Sequence, residues 1–298
     1  MAATEGYITM DDGVRLFYQA VGNGEKTLLI LNGYFLFNDF KYLADGRTVI
    51  AIDVRNRGRS DYITDPSKLQ RGIHQDVDDI EYVRRHFEIE KLDLLGHSYA
   101  GIIPILYALS YPERVGRIVQ ISSMPPNQST QYPDHLRNVD SVLQTFFANF
   151  RLLQQQSQAL SPEEFCGKFW TLLRPLYVFN PSDADKIQHW KACHLPTELN
   201  FMSYWMGSLM PSIQSLNFTS EELAKVSTPV LNVHGTKDRS APYGGGREWV
   251  LILPNARFLT IDNVAHAPWI EAPEKVLGPI GTFLNGTWPE AAEKVEAL

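Results

Sequence analysis

The residues whose types and spacing could do chemistry centre on Ser98. An apolar run, Leu92–Leu95, leads into Gly96-His97-Ser98-Tyr99-Ala100-Gly101, and a helix-like run from Ile102 to Leu109 follows. A serine at the tip of a tight strand-to-helix turn needs small neighbours, because its strained backbone packs closely against adjacent elements. The helix start also directs backbone N–H groups toward the serine, which favours negative charge there. Ala100 replaces the glycine expected at the end of a Gly-X-Ser-X-Gly turn, and the steric argument tolerates it. Pro104 removes one backbone hydrogen bond, so a kink is expected early in the following helix.

A serine hydroxyl is a poor nucleophile near neutral pH and needs a base beside it. Of the eight histidines, His97 is adjacent in sequence but should diverge from Ser98, which suits a structural role. His234 precedes Gly235 at a strand end and is expected to support the loop carrying Asp238. His266 lies in a loop beyond a strand, and the following Pro268 and Trp269 stiffen that loop. It is the expected general base. Asp238 comes directly after Val230–Gly235, at the carboxyl edge of the sheet where ligands bind in open α/β sheets. A carboxylate there would fix the imidazole tautomer and stabilise the imidazolium. Asp262, nearer to His266 in sequence, is its rival.

The elements that must position these groups follow from hydrophobic periodicity. Val14–Ala20, Thr27–Leu31, Thr48–Val54, Leu92–Leu95, Arg117–Ile121, Pro229–His234 and Arg257–Ile261 read as strands. Ile73, Val77, Ile80, Val83 and Phe87 repeat at helical spacing. The alternation predicts an α/β fold with a mostly parallel central sheet flanked by helices, and the first two runs look like an antiparallel entry to it. The rhythm stops after Ser123. Residues 124–216 are rich in aromatics and helical in period, so they are expected to form a helical cap inserted in a core made of residues 1–123 and 217–298. Pro289–Leu298 reads as a polar helical or frayed tail.

Composition removes several classes. With 44% hydrophobic and 20% charged residues the chain is globular, and a net charge of -7 argues against nucleic acid as a partner. No apolar run reaches membrane-spanning length, and Met1–Asp12 lacks the pattern of a secretory signal. A cytoplasmic location is expected, with Cys166 and Cys193 as two buried thiols. No metal-spaced cluster is visible and Gly244-Gly245-Gly246 lacks the Lys-Ser/Thr of a phosphate loop, so no metal or cofactor is expected.

Several segments together resemble the α/β-hydrolase superfamily. Leu31-Asn32-Gly33-Tyr34 looks like its His-Gly-X loop, and Asp53–Asp61 (DVRNRGRSD) is similar to its Asp-X-Arg-Gly-X-Gly-X-Ser segment. Val233–Asp238 resembles the strand end bearing the triad acid, and Asn263–Glu274 the histidine loop. The chain order Ser98, Asp238, His266 also agrees with that fold. The resemblance, closest to capped esterases, lactonases and proline-iminopeptidase-like enzymes, implies an oxyanion hole made by the backbone N–H groups of Tyr34 and Tyr99. Asn32 stands where that loop usually has histidine, which leaves the pinning of the loop open.

Phe35 and Phe37, with Tyr34, are expected to line one wall of a mainly apolar pocket, with Phe147 and Trp205 contributed by the cap. The expected activity is serine-dependent cleavage of a carboxylic ester, or a lactone or amide, of a small apolar molecule through an acyl-enzyme. A proline-iminopeptidase-like enzyme is the nearest alternative and would need cap carboxylates such as Glu163, Glu164 or Glu198 to hold an ammonium group. A cofactor-free C–C hydrolase or perhydrolase, and a non-catalytic small-molecule receptor, keep the same triad.

Overall fold

The computed structural model describes residues 3–298. Eight strands form one sheet: β1 Thr4–Thr9, β2 Arg15–Val21, β3 Lys26–Leu31, β4 Arg47–Ile52, β5 Leu92–His97, β6 Val115–Ile121, β7 Val230–Gly235 and β8 Ala256–Ile261. Their order is β1-β2-β4-β3-β5-β6-β7-β8. The β1/β2 and β2/β4 pairs are antiparallel and every later pair is parallel.

The antiparallel entry therefore differs from the expected one. β2 and β3 are not neighbours; β4 lies between them, and the hairpin partner of β2 is β1. β1 escapes sequence reading because only Ile8 of its six residues is fully buried. An edge strand with one apolar anchor carries almost no periodic signal.

Alternation explains why the central strands stay in the middle. Leu29 and Leu31 of β3 and Leu94 of β5 join one apolar cluster, while Leu28, Ile30 and Leu95 join the cluster on the opposite face. Each such side chain, with 0% exposure, stabilises the fold by roughly 1.5–3 kcal/mol. Helices α1 (Gly33–Phe40), α2 (Ile73–His86) and α3 (Ile103–Ser110) cover the two faces. Pro104 sits in the first turn of α3, where a missing N–H costs nothing, so the expected kink does not arise.

Between β6 and β7 the chain forms only helical elements. The longest are α4 (Ser141–Gln155), capped by Asp140, and α5 (Pro162–Tyr177), which starts in a Ser161/Glu164 capping box. A broken helical run follows over 196–214, including one π-helical turn at Trp205–Leu209.

Two expectations fail here. Cys166 and Cys193 are bonded to each other, because α5 and the turn following His189–Ala192 bring their Cα atoms to 5.8 Å. The C-terminal tail is neither helical nor frayed: Phe258 and Glu293 exchange two backbone hydrogen bonds of 2.8 and 2.9 Å at the β8 edge. Among the described residues no helix is long and apolar enough to cross a membrane.

Candidate active site

Ser98 follows β5 with φ at 58°, in the left-handed region that costs a non-glycine residue roughly 1–2 kcal/mol. The glycines around it are required sterically. A methyl group at Gly96 would run into the carbonyl oxygen of Ala100, and one at Gly101 would lie 2.5 Å from Ser123 Oγ. The Ser98 carbonyl accepts from Met124 N–H at 3.1 Å, which ties the turn to the segment after β6.

His266 and Asp238 are paired, with Nδ1 and Oδ2 2.8 Å apart, and the His266 ring lies 4.5 Å from that of His97. No hydrogen bond joins Ser98 Oγ to His266 among the described residues. Both are almost fully buried, whereas Asp262 is exposed. Asp238 also faces His234 Nε2 at 3.2 Å, and its Oδ1 accepts from the backbone N–H groups of Ser240 (2.7 Å) and Ala241 (2.9 Å). Burial alone would raise the Asp238 pKa; His266 and His234 outweigh it and hold the carboxylate well below its ordinary range. The adjacent His97 is committed elsewhere, with Nε2 2.9 Å from the carbonyl of His266. Burial, followed by the nearby His266, pushes His97 down and keeps it neutral.

The loop after β3 is arranged differently from expectation. Asn32 takes φ of 62° and its side chain pairs with the Tyr99 hydroxyl at 3.2 Å, which supplies the pinning left open by the missing histidine. The Tyr34 N–H, expected to face an oxyanion, donates to Asp53 Oδ1. Asp53 also accepts from Arg59 N–H at 2.8 Å; burial, only partly offset by these bonds, pushes its pKa up to about 6.

A cavity of about 340 Å³ opens at Ser98. Phe35, Phe147 and Trp205 line it as expected, together with Phe169, Trp170 and Tyr177. Phe37 does not: it turns into the core beside Leu28 and Ile280, and Leu36 takes its place in the wall. Tyr34 faces a more polar neighbouring depression that includes Arg59 and Lys191 and shares Phe35 and His189 with the cavity wall. A larger groove of about 740 Å³ between residues 62–74 and 200–215 contains none of the residues just described around Ser98. The π turn divides the two spaces, with Trp205 and Met206 toward Ser98 and Gly207 and Ser208 toward the outer groove.

Two cavity residues gave no strong sequence signal. Arg57, in the loop after β4, lines the cavity and is paired with Glu198 of the insertion. His189 lines it from a polar-looking stretch, Lys186–Lys191. The basic loop Arg55–Arg59 was a usable hint for the first; the second had none. Of the carboxylates considered for an ammonium group, Glu164 is spent on the α5 cap, Glu163 is exposed in the same first turn and Glu198 is held by Arg57. Among the described residues no three His, Cys, Asp or Glu side chains are grouped as a metal site requires.

Residues 26–273 match the family model described as the alpha/beta hydrolase fold. A 2-hydroxy-6-oxononadienedioate/2-hydroxy-6-oxononatrienedioate hydrolase from Paraburkholderia phymatum is 25% identical over 91% of this chain and 92% of its own length. A bifunctional esterase/perhydrolase from Acinetobacter calcoaceticus is 26% identical over 90% and 95%, respectively. Among solved structures, an esterase from Exiguobacterium antarcticum superposes with a TM-score of 0.72 at 16% identity, covering 94% of this chain and 99% of that one.

Proposed function

The chain belongs to the α/β-hydrolase family, and on that premise we propose that it cleaves a carboxylic ester of a small, mainly apolar molecule through an acyl-enzyme on Ser98. The reading is carried by one arrangement: Asp238 and His266 are paired in the interior, the His266 ring lies 4.5 Å from that of His97, and the next residue, the strained Ser98, opens into an aromatic cavity. In the first half-reaction Ser98 Oγ attacks the carbonyl carbon while His266 Nε2 takes the hydroxyl proton. Asp238 accepts from Nδ1–H and stabilises the imidazolium. The proton then goes to the leaving alkoxide, and water repeats the sequence on the acyl-enzyme.

The negative charge on the former carbonyl oxygen needs preorganised donors. Tyr99 N–H, directly after the nucleophile, is one. Tyr34 N–H serves as the second only on letting go of Asp53, so closing the oxyanion hole entails a small movement at the start of α1. Residues 124–216 act as the cap, setting substrate choice from above the serine.

An aminopeptidase reading is less well supported, because no free carboxylate among the three candidates faces the cavity. The C–C hydrolase alternative keeps the same triad and takes support from the relative in Paraburkholderia phymatum. Labelling with a fluorophosphonate probe and turnover of short p-nitrophenyl esters test the proposal. Wild type should be labelled and active, and Ser98→Ala neither; an active or labelled Ser98→Ala protein removes Ser98 from the mechanism.

A further inference from the structure

His189 lines the wall between the Ser98 cavity and the polar depression beside it, and its imidazole makes no hydrogen bond to the protein among the described residues. Neither ring nitrogen has a hydrogen-bond partner among the described residues: Nδ1 is sealed within the wall, and the half-buried ring leaves Nε2 as the nitrogen that a ligand can reach. Asn32 is satisfied by the Tyr99 hydroxyl, His97 Nε2 by the His266 carbonyl, and Arg57 by Glu198, whereas the hydroxyls of Ser98, Tyr177 and Ser240, like His189, have no partner among the described residues. The imidazole is held in a frame of rings, with centroids 4.3 Å from Phe35, 4.9 Å from Trp170 and 5.5 Å from Tyr177. Cys193, on the residue after the same helical turn, is bonded to Cys166 of α5, the helix that also carries Trp170. The histidine is thus fixed in place, and buried polar groups so fixed ordinarily have a partner.

Charge narrows what that partner is. Burial, reinforced by Arg57 and His266, pushes His189 down to about 3, so the ring is neutral and offers one donor and one acceptor. Arg57 is the only Lys, Arg, Asp or Glu in the cavity lining, and its charge is cancelled by Glu198. An anionic substrate would have to compete with Glu198 for it.

We infer that His189 is a specificity-determining residue that hydrogen-bonds an uncharged polar group, such as a carbonyl, ether or hydroxyl oxygen, on an otherwise apolar, ring-sized substrate. The inference rests on the reading of the Ser98 cavity as the substrate site. It goes further by excluding carboxylate-bearing molecules as preferred ligands.

Three ligands of one shape test it without requiring turnover: phenylacetone (neutral carbonyl), propylbenzene (no polar group) and phenylacetate (anion). Binding to the whole protein is followed by ligand-observed NMR titration. Wild type should bind phenylacetone roughly tenfold more tightly than propylbenzene, with phenylacetate weakest. His189→Phe should bring the first two within about threefold of each other, while His189→Gln keeps most of the preference. Should the phenylalanine variant not fold, His189→Leu is read in the same way. Phenylacetate binding tightest to wild type, or an unchanged preference in the folded apolar variant, overturns the inference. Fluorophosphonate labelling of the same samples reports separately on Ser98: its absence defeats the serine-hydrolase reading and leaves the ligand ranking to decide the role of His189.

Discussion

Arg57 and Glu198 form a two-pronged ion pair inside the protein, Nε to Oε1 at 3.0 Å and Nη2 to Oε2 at 3.3 Å. Glu198 Oε1 also accepts from Gly58 N–H at 2.7 Å, and Arg57 Nη1 donates to the Tyr99 hydroxyl at 3.1 Å. The pair joins the loop after β4 to the insertion and reaches the residue that follows Ser98. Breaking one side leaves a buried charge alone. Glu198→Ala should therefore destabilise by about 3–5 kcal/mol, and the double change Arg57→Met/Glu198→Leu by clearly less. Urea unfolding of the three proteins decides it.

Asp238 and Asp262 differ in burial and in partners, so their asparagine variants should differ in rate. Asp238→Asn disturbs the imidazole tautomer and should cost on the order of 10⁴-fold in kcat toward a p-nitrophenyl ester. Asp262→Asn, at an exposed turn, should stay within a few-fold of wild type. The reverse ranking would move the acid of the triad to Asp262.

The Cys166–Cys193 bond closes a loop with a sequence separation of 27. Loop-closure entropy in the unfolded chain then assigns it about 3–4 kcal/mol. Thermal unfolding with and without reductant should show a lower Tm on reduction, and Cys193→Ser should reproduce that shift and be insensitive to reductant.

Asp53 and Asp238 should leave opposite marks on the pH dependence of stability. The folded-state pKa of Asp53 is raised to about 6, so its contribution is greatest below pH 4 and is lost as pH rises to 6, on the order of 3 kcal/mol in all. Asp238 is depressed, so its contribution is present above pH 4 and fades as pH falls further. Asp53→Asn should flatten the decline between pH 4 and 6 in unfolding titrations, leaving the acid limb in place.

The turn at Ser98 is legible in sequence because its demands are local: small residues at 96, 100 and 101, an apolar strand before and a helix after. The parallel strands are legible for a similar reason, as buried runs with clear ends. What escapes reading depends on partners far along the chain. Nothing near Tyr34 indicates that an aspartate 19 residues later will take its N–H. Phe35 and Phe37 look alike in sequence, yet α1 turns one toward the cavity and the other into the core. Cys166 and Cys193 become a pair only once the helices of the insertion pack. His189 sits among Lys186, Gln188 and Lys191, where a solvated face is the natural reading.

The backbone exchange between Phe258 and Glu293 concerns more than the tail. A sheet border with free N–H and C=O groups is a template on which another chain can add a strand. By laying Glu293 against Phe258, the C-terminus occupies the middle of the β8 border at one residue. A second molecule adding a strand to β8 would first have to displace Glu293 from Phe258, so the tail stands in the way of end-to-end growth into a continuous β-ribbon at that border.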